Sequence, residues 1–256
     1  MCIRDRGNIA LVRLHMLGRG GLMRRRMLLL GLAIVTVLFL LNWSLRLCMG
    51  RMDRIASSSS LVNSQANLIL DAGHGGEDGG AVSLTGMPES QINLAVVLRM
   101  RDILAFYGVS PMVLREEDIS LHDNSAVSLR EKKVSDLKNR VAAIEGQRSA
   151  TLLSIHQNTY PNNRYHGAQV FYAPTEGSKE LAEHIQAVVK GTLQPENERS
   201  VKQIPDTVYL MNHISCPAVL VECGFLTNPE EEAQLLDPDY QKQLAAVLVG
   251  AWLTAP

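Results

Sequence analysis

The sequence predicts one three-layer α/β domain around a mostly parallel, twisted sheet, preceded by an N-terminal membrane segment. Three observations carry this. Apolar runs at Leu68–Leu70, Thr151–Ile155 and Ala218–Val221 are bounded by glycine and polar residues, the mark of strands buried on both faces. Longer amphipathic segments with helix caps lie between them, and strands alternating with helices build a covered sheet. Ahead of all of them, Arg24-Arg25-Arg26 leads into Met27–Leu41, which is apolar and carries no charge.

Residues 1–22 show neither periodicity nor caps. Their opening Met1-Cys-Ile-Arg-Asp-Arg-Gly7 resembles translated adapter sequence, so this stretch is expected to be a non-native extension and Met23 the start. Residues 23–49 are expected to be an uncleaved signal anchor, the competing reading being a signal peptide. Lys and Arg number seven before the apolar run, against Arg46, Arg51 and Arg54 after it, which puts the N-terminus in the cytoplasm and the domain outside. Residues 50–66, rich in Ser, read as a linker, and 67–256 as the catalytic domain. Beyond residue 54 the chain holds 15 basic and 24 acidic residues, a balance of −9. An acidic domain has no footprint for nucleic acid, and the glycine-rich loop lacks the Gly-Lys-Ser/Thr of a phosphate cradle. Four cysteines do not make a disulfide framework, and Cys216 and Cys223, separated by extended chain, should not pair with each other.

The first strand runs into Asp71-Ala-Gly-His-Gly-Gly-Glu-Asp-Gly-Gly80, where glycines around His74 let the backbone turn tightly and let a metal or substrate approach. A helix follows from Pro88-Glu89 to Tyr107. Glu89 there is either a helix-start charge facing water, favoured by the helix dipole, or a carboxylate ligand beside the His74 loop. Pro111–Leu114 reads as a strand. Arg115 after it either orients a substrate carboxylate through its planar fork or pairs with a neighbouring acid. Ser128–Gly146 reads as a helix with Leu137, Val141 and Ile144 as its apolar stripe. His156 then ends the second buried strand, and Asn158, two residues on, points to the same side if the backbone stays extended. It would hold a ligand or the substrate, or cap the loop. Gly167–Ala173 is a strand, Ser178–Leu193 an amphipathic helix, and Gln194–Pro205 an irregular loop over a cleft. His213 has no spacing that brings it to a site. The third buried strand ends at Glu222. Asn228 caps a short acidic helix, Asp237-Pro238 breaks it, and Tyr240–Leu253 is the last helix.

Three strands thus deliver His74, His156 and Glu222 at their carboxyl ends, where open α/β sheets bind ligands. Two His and one Glu, with a position left for water, form a catalytic zinc set. On this reading His74, Glu89 and His156 hold Zn2+ and Glu222 is the general base. A thiol hydrolase built on Cys223 is the weaker enzymatic alternative.

The segments LILDAGHGGEDGGAV, PESQINLA, LLSIHQN and PAVLVECGFLTNPEE resemble the zinc-dependent N-acetylmuramoyl-L-alanine amidases of the amidase-3 type, over about residues 67–253. The resemblance places the zinc ligands on His74, Glu89 and His156 and the catalytic glutamate on Glu222. Ser90 departs from it, since many members carry a basic residue there. The stretch His166-Gly-Ala-Gln-Val-Phe-Tyr172 and the lack of wall-binding repeats resemble most the germination-specific, spore-cortex branch. What this implies is hydrolysis of the amide between N-acetylmuramic acid and L-alanine in peptidoglycan glycan-peptide strands, by a domain held outside the membrane or secreted, in the forespore envelope, with an activating protein partner as an option. The rival readings are a vegetative-wall amidase, a general zinc peptidase, and a peptidoglycan-binding module without turnover.

Overall fold

The computed structural model describes Met27, Leu29, Leu30, Thr36 and residues 67–256. The four isolated residues are helical. The rest of the expected extension, anchor and linker (1–66) lies outside the described residues. Among the described residues no helix is long and apolar enough to cross a membrane. Two units divide the chain, Met1–Val62 and Asn63–Pro256.

Six strands make one sheet in the second unit: β1 (Asn67–Ala72), β2 (Met112–Val113), β3 (Ala150–Asn158), β4 (Gln169–Tyr172), β5 (Lys202–Gln203) and β6 (Ala218–Phe225). Their order is β2-β1-β3-β6-β4-β5. The pairs β1–β2, β1–β3, β3–β6 and β4–β5 are parallel, and β4 runs antiparallel to β6. Among the described residues of this unit, four helices lie between strands, α1 (Glu89–Phe106), α2 (Leu129–Glu145), α3 (Ser178–Thr192) and α4 (Tyr209–Asn212), and two follow the last strand, α5 (Pro229–Leu236) and α6 (Pro238–Leu253).

Alternating side chains of the central strands go to opposite layers. Leu68, Leu70, Leu153, Ile155, Val219 and Val221 pack with Val96 of α1, Ile185 of α3 and Leu248 of α6. Ile69, Leu152 and Leu220 face the other way, toward Ile144 of α2 and Leu210 and Met211 of α4. Each such aliphatic side chain contributes about 1.5–3 kcal/mol by leaving water, and their continuity in sequence is why the strands read as unbroken apolar runs. The helix ends follow their caps. Ser128 and Glu131 form a reciprocal capping box on α2, Asn228 accepts from the Glu230 and Glu231 amides of α5, and Asp237 accepts from the Asp239 amide of α6.

The structure departs from the sequence reading at several element ends, and the last helix begins at Pro238, ahead of the expected Tyr240. β3 and β6 run on to Asn158 and Phe225, so His156 and Glu222 lie within strands, paired in register with each other. Apolar character marks only the doubly buried part of a strand, whereas the hydrogen-bonded ladder continues past it. The strand expected at 111–114 shrinks to β2, and the one at 167–173 to β4. The loop expected at 194–205 includes β5 at its end.

Candidate active site

His74 follows β1 with φ of 63°, a left-handed conformation uncommon for a side-chain-bearing residue. Its surroundings hold it there. The Gly75 amide donates to the Asp78 carbonyl at 2.8 Å, and Arg140 Nη2 donates to the His74 carbonyl at 2.8 Å. The ring is fixed by a 3.0 Å hydrogen bond between Nδ1 and Asp78 Oδ2, leaving Nε2 3.4 Å from Glu89 Oε2. Two glycines make the room. A Cβ on Gly73 would lie 2.2 Å from the His156 ring, and one on Gly80 would lie 2.6 Å from Glu89 Oε2 and 2.7 Å from His74 Cδ2.

Glu89 opens α1 but does not face water: it is 3 % exposed. Its Oε2 accepts from the Ala81 amide at 3.0 Å, and its Oε1 accepts from the Gln157 amide at 3.0 Å and from Asn93 Nδ2 at 3.2 Å. Oε1 also lies 3.1 Å from His156 Nδ1. Burial alone would raise this carboxyl, but the hydrogen bond and charge of His156, with His74 beside it, hold it down at about 2. It is a fixed anion. Donor atoms of His74, Glu89 and His156 all lie within 4.8 Å of one another, and the two imidazole rings stand edge to face at 5.0 Å.

Across β3–β6, Glu222 pairs in register with His156. Its Oε2 is buried with no hydrogen-bond partner among the described residues. Burial pushes its carboxyl up to about 7, against the pull of His156 and with a push from Glu89. The carboxylates of Glu89, Glu222 and Asp71 in turn raise His156 against its burial. Two imidazole nitrogens and a carboxylate, converging in a field that favours a cation and with Asp78 orienting the far nitrogen of His74, suit a divalent transition metal such as zinc.

The other expectations fare differently. Arg115 does not reach a substrate. Its side chain is fully buried, and its fork donates to the carbonyls of Ala72, Gly73, Ser90 and Glu117 at 2.8–3.0 Å. The alternative ion pair is marginal, with Asp118 at 3.9 Å. An arginine right after a strand has no room to swing outward here; it staples the His74 loop to the start of α1. Asn158 lies beyond a bulge in β3, so the extended backbone that would align it with His156 is interrupted. Ser90 is fully buried. Cys216 and Cys223 are free, and burial drives the Cys223 thiol far up, which removes it as a nucleophile. His213 stacks on Tyr209 and bonds its carbonyl, away from the cluster.

Sequence reasoning missed the support beneath the cluster. Asp71, in β1, forms a buried ion pair with Arg140 of α2 and accepts from Ser154 Oγ of β3 at 2.6 Å. Arg140 also pairs with Asp136 at 2.8 Å and donates to the Ala72 carbonyl at 3.1 Å. The available signal was an aspartate closing an otherwise apolar run, which burial requires to be paired.

Residues 68–251 match the amidase-3 family, N-acetylmuramoyl-L-alanine amidase. The chain belongs to that family. It is 36 % identical over 188 residues to the germination-specific N-acetylmuramoyl-L-alanine amidase of Bacillus subtilis, covering 73 % of this chain and 78 % of that one. Among solved structures, the CwlD amidase from Clostridioides difficile, in complex with the GerS lipoprotein, superposes with a TM-score of 0.70 at 37 % identity over 73 % of this chain and 96 % of that one. The catalytic domain of CwlV, an amidase from Bacillus (Paenibacillus) polymyxa var. colistinus, gives 0.61 at 27 % identity over 75 % and 99 %. This chain is accordingly a peptidoglycan amidase, and the mixed, mostly parallel sheet with helices on both faces is the fold of its relatives.

Proposed function

We propose that this amidase cleaves the bond between N-acetylmuramic acid and L-alanine with Zn2+ held by His74, Glu89 and His156, and with Glu222 as general base. The observation that carries the reading is Glu222 Oε2, buried and unpartnered on the strand position paired with His156. An unsatisfied buried carboxylate oxygen is costly, and its persistence in a cleft is the signature of a group kept free for a proton. Zinc, when bound, would lower the pKa of water and polarise a carbonyl. The chain's own residues do the rest. Glu222, poised at about 7, takes the proton of the attacking water on Oε2 and passes it to the leaving amine nitrogen. Glu89, at about 2, stays ionised throughout. Asp78 keeps His74 Nε2 turned toward Glu89.

In this reading residues 23–49 anchor the chain, 50–66 form a linker, and 67–256 act outside the membrane on cortex peptidoglycan. The named activity of the Bacillus relative supports the germination role. The GerS lipoprotein seated on the Clostridioides relative supports an activating protein partner here. The test incubates the zinc-loaded chain with purified cortex and with vegetative peptidoglycan and reads the released ends by mass spectrometry. Peptides with a free L-alanine amine, absent with a chelator, are expected. Internal peptide ends would make it a general zinc peptidase. Equal release from both walls would remove the cortex assignment.

A further inference from the structure

We infer that Arg199 binds a carboxylate on the peptide side of the scissile amide, so that the enzyme selects acidic stem peptides. The inference rests on the reading of Glu222 as the base and extends it to substrate choice.

Arg199 lies in the loop of residues 193–201, between α3 and β5. Its guanidinium sits 4.9 Å over the Phe225 ring, three residues beyond Glu222 on β6. Nη2 donates to Gln169 Oε1, and Gln169 is the β4 residue paired with Glu222. Nε is buried with no partner among the described residues. The charges of Glu231 and Glu222 act on Arg199 through space, yet among the described residues it makes no ion pair. Glu231 is otherwise engaged, accepting from the Gly167 and Phe225 amides at 2.8 Å each. The contrast with the other arginines near the cluster is direct. Arg115 spends its fork on carbonyls, and Arg140 on Asp71 and Asp136. Arg199 alone of the three is oriented, by a ring and one amide, while most of its donors stay unspent. An arginine so held is built to receive a planar anion in two-point contact.

Chemistry sets which anion. The sheet order puts His74 and His156 over β1 and β3, Glu222 on β6, and Arg199 against β6 and β4. Glu222 must hand its proton to the leaving nitrogen, so that nitrogen faces β6, and the peptide it carries continues toward β4 and Arg199. Tyr160 and Tyr165, with rings 4.4 Å apart and 48 % and 45 % exposed, extend an aromatic wall from Phe225 along the same path. A peptide beginning with L-alanine presents its next acidic group within a residue of the cleaved bond, and a free carboxylate there meets the guanidinium.

The experiment compares the zinc-loaded full chain on two soluble substrates with the glutamyl γ-carboxyl blocked as its methylamide, N-acetylmuramoyl-L-alanyl-D-glutamate γ-methylamide, which keeps one free α-carboxylate, and its α-amide, which has no carboxylate on the peptide. Wild type should prefer the acid by about 10–100-fold in kcat/KM, the range of a charged hydrogen-bonded contact, with the difference in KM. In Arg199→Gln the ratio should fall to near one. Arg199→Lys, which keeps the charge without the fork, should keep part of it. Calorimetric titration of the cleaved peptides, acid against amide, into wild type and Arg199→Gln needs no turnover. The acid should bind more tightly to wild type only. Equal binding of acid and amide to wild type, or a preference that survives Arg199→Gln, overturns the inference. Failure to hydrolyse either substrate while the binding preference stands would count against the zinc and Glu222 reading and leave Arg199 assigned.

Discussion

Replacing Gly73 by alanine should weaken zinc binding by about 100-fold while sparing the fold. Gly73 is not in the left-handed region, so its backbone accepts a side chain without strain. What the Cβ meets is the His156 ring, with Cε1 and Nε2 both at 2.2 Å. Ordinary contact begins at 3.4 Å, so the imidazole must retreat by about 1.2 Å. His156 Nδ1 is 3.1 Å from Glu89 Oε1, and a retreat of that size opens the triangle of donor atoms. Disturbing the support of a metal ligand costs about 10–100-fold in affinity, and a ligand displaced by a full ångström belongs at the upper end. Competition with a chromophoric chelator would measure the zinc affinity. Thermal unfolding in the absence of metal would show whether the core is intact. The control is Gly191→Ala, in α3 with nothing within 4 Å of its Cβ, expected to leave zinc affinity unchanged and stabilise by about 0.5–1 kcal/mol. Gly73→Ala with wild-type zinc affinity would refute the reasoning, since His156 could then move that far without being a ligand.

Four further outcomes follow. His74→Ala should lose zinc and turnover together, whereas Glu222→Gln should keep zinc at full stoichiometry and lose turnover, as read by metal analysis and peptide release. Arg140→Met strands Asp71 without its cation and should cost about 3–5 kcal/mol in urea unfolding, far more than a surface arginine. Asn228→Ala removes the α5 cap and the bonds to the Asn163 and Tyr165 carbonyls, and should cost about 1–2 kcal/mol in the same assay. Asp71 is held below the usual carboxylate range, Arg140 and Ser154 outweighing its burial. Its contribution to stability is complete above the unfolded-state value of about 3.9 and is lost as pH falls through the lower folded-state one, so Asp71→Asn should flatten the acid limb of the stability curve.

The parts of the fold legible in sequence are those that one physical rule decides. Unbroken apolar runs marked β1 and the first halves of β3 and β6, because both faces of those strands are buried. The Asn228-Pro229 pair fixed the start of α5 to the residue, whereas α2 begins one residue after Ser128 and α6 begins at Pro238, two residues before the expected Tyr240, because Asp237 caps the new helix as it ends the old one. The glycine setting of His74 was legible for the same reason, since only glycine lets His156 and Glu89 come so close. The ends of β3 and β6 were not, because there the ladder, not burial, keeps the chain extended. The carbonyl cage of Arg115 was not legible because a planar fork serves carbonyls as well as a carboxylate, and only burial tells the two apart. Arg140 stayed hidden because its partner Asp71 lies 69 residues away, and no local pattern joins them.

Glu89 and Glu222 carry the same functional group and sit around the same two imidazoles, yet the fold drives them apart. Glu89 receives three N–H donors, two of them backbone amides that cannot turn away, and each stabilises the anion. Glu222 receives none on Oε2 among the described residues, and burial, with a push from Glu89, outweighs the pull of His156, His74 and Arg199. In the proposed reading, the carboxylate pinned by His156, His74 and neighbouring N–H donors serves the metal, and the one dominated by its burial serves the proton. The Ala81 and Gln157 amides also donate to Glu89 and fix where its two oxygens lie. For that reason Glu89→Gln, which keeps the shape but repels one of those amides with its own N–H, should lose more zinc affinity than the removal of one charge accounts for.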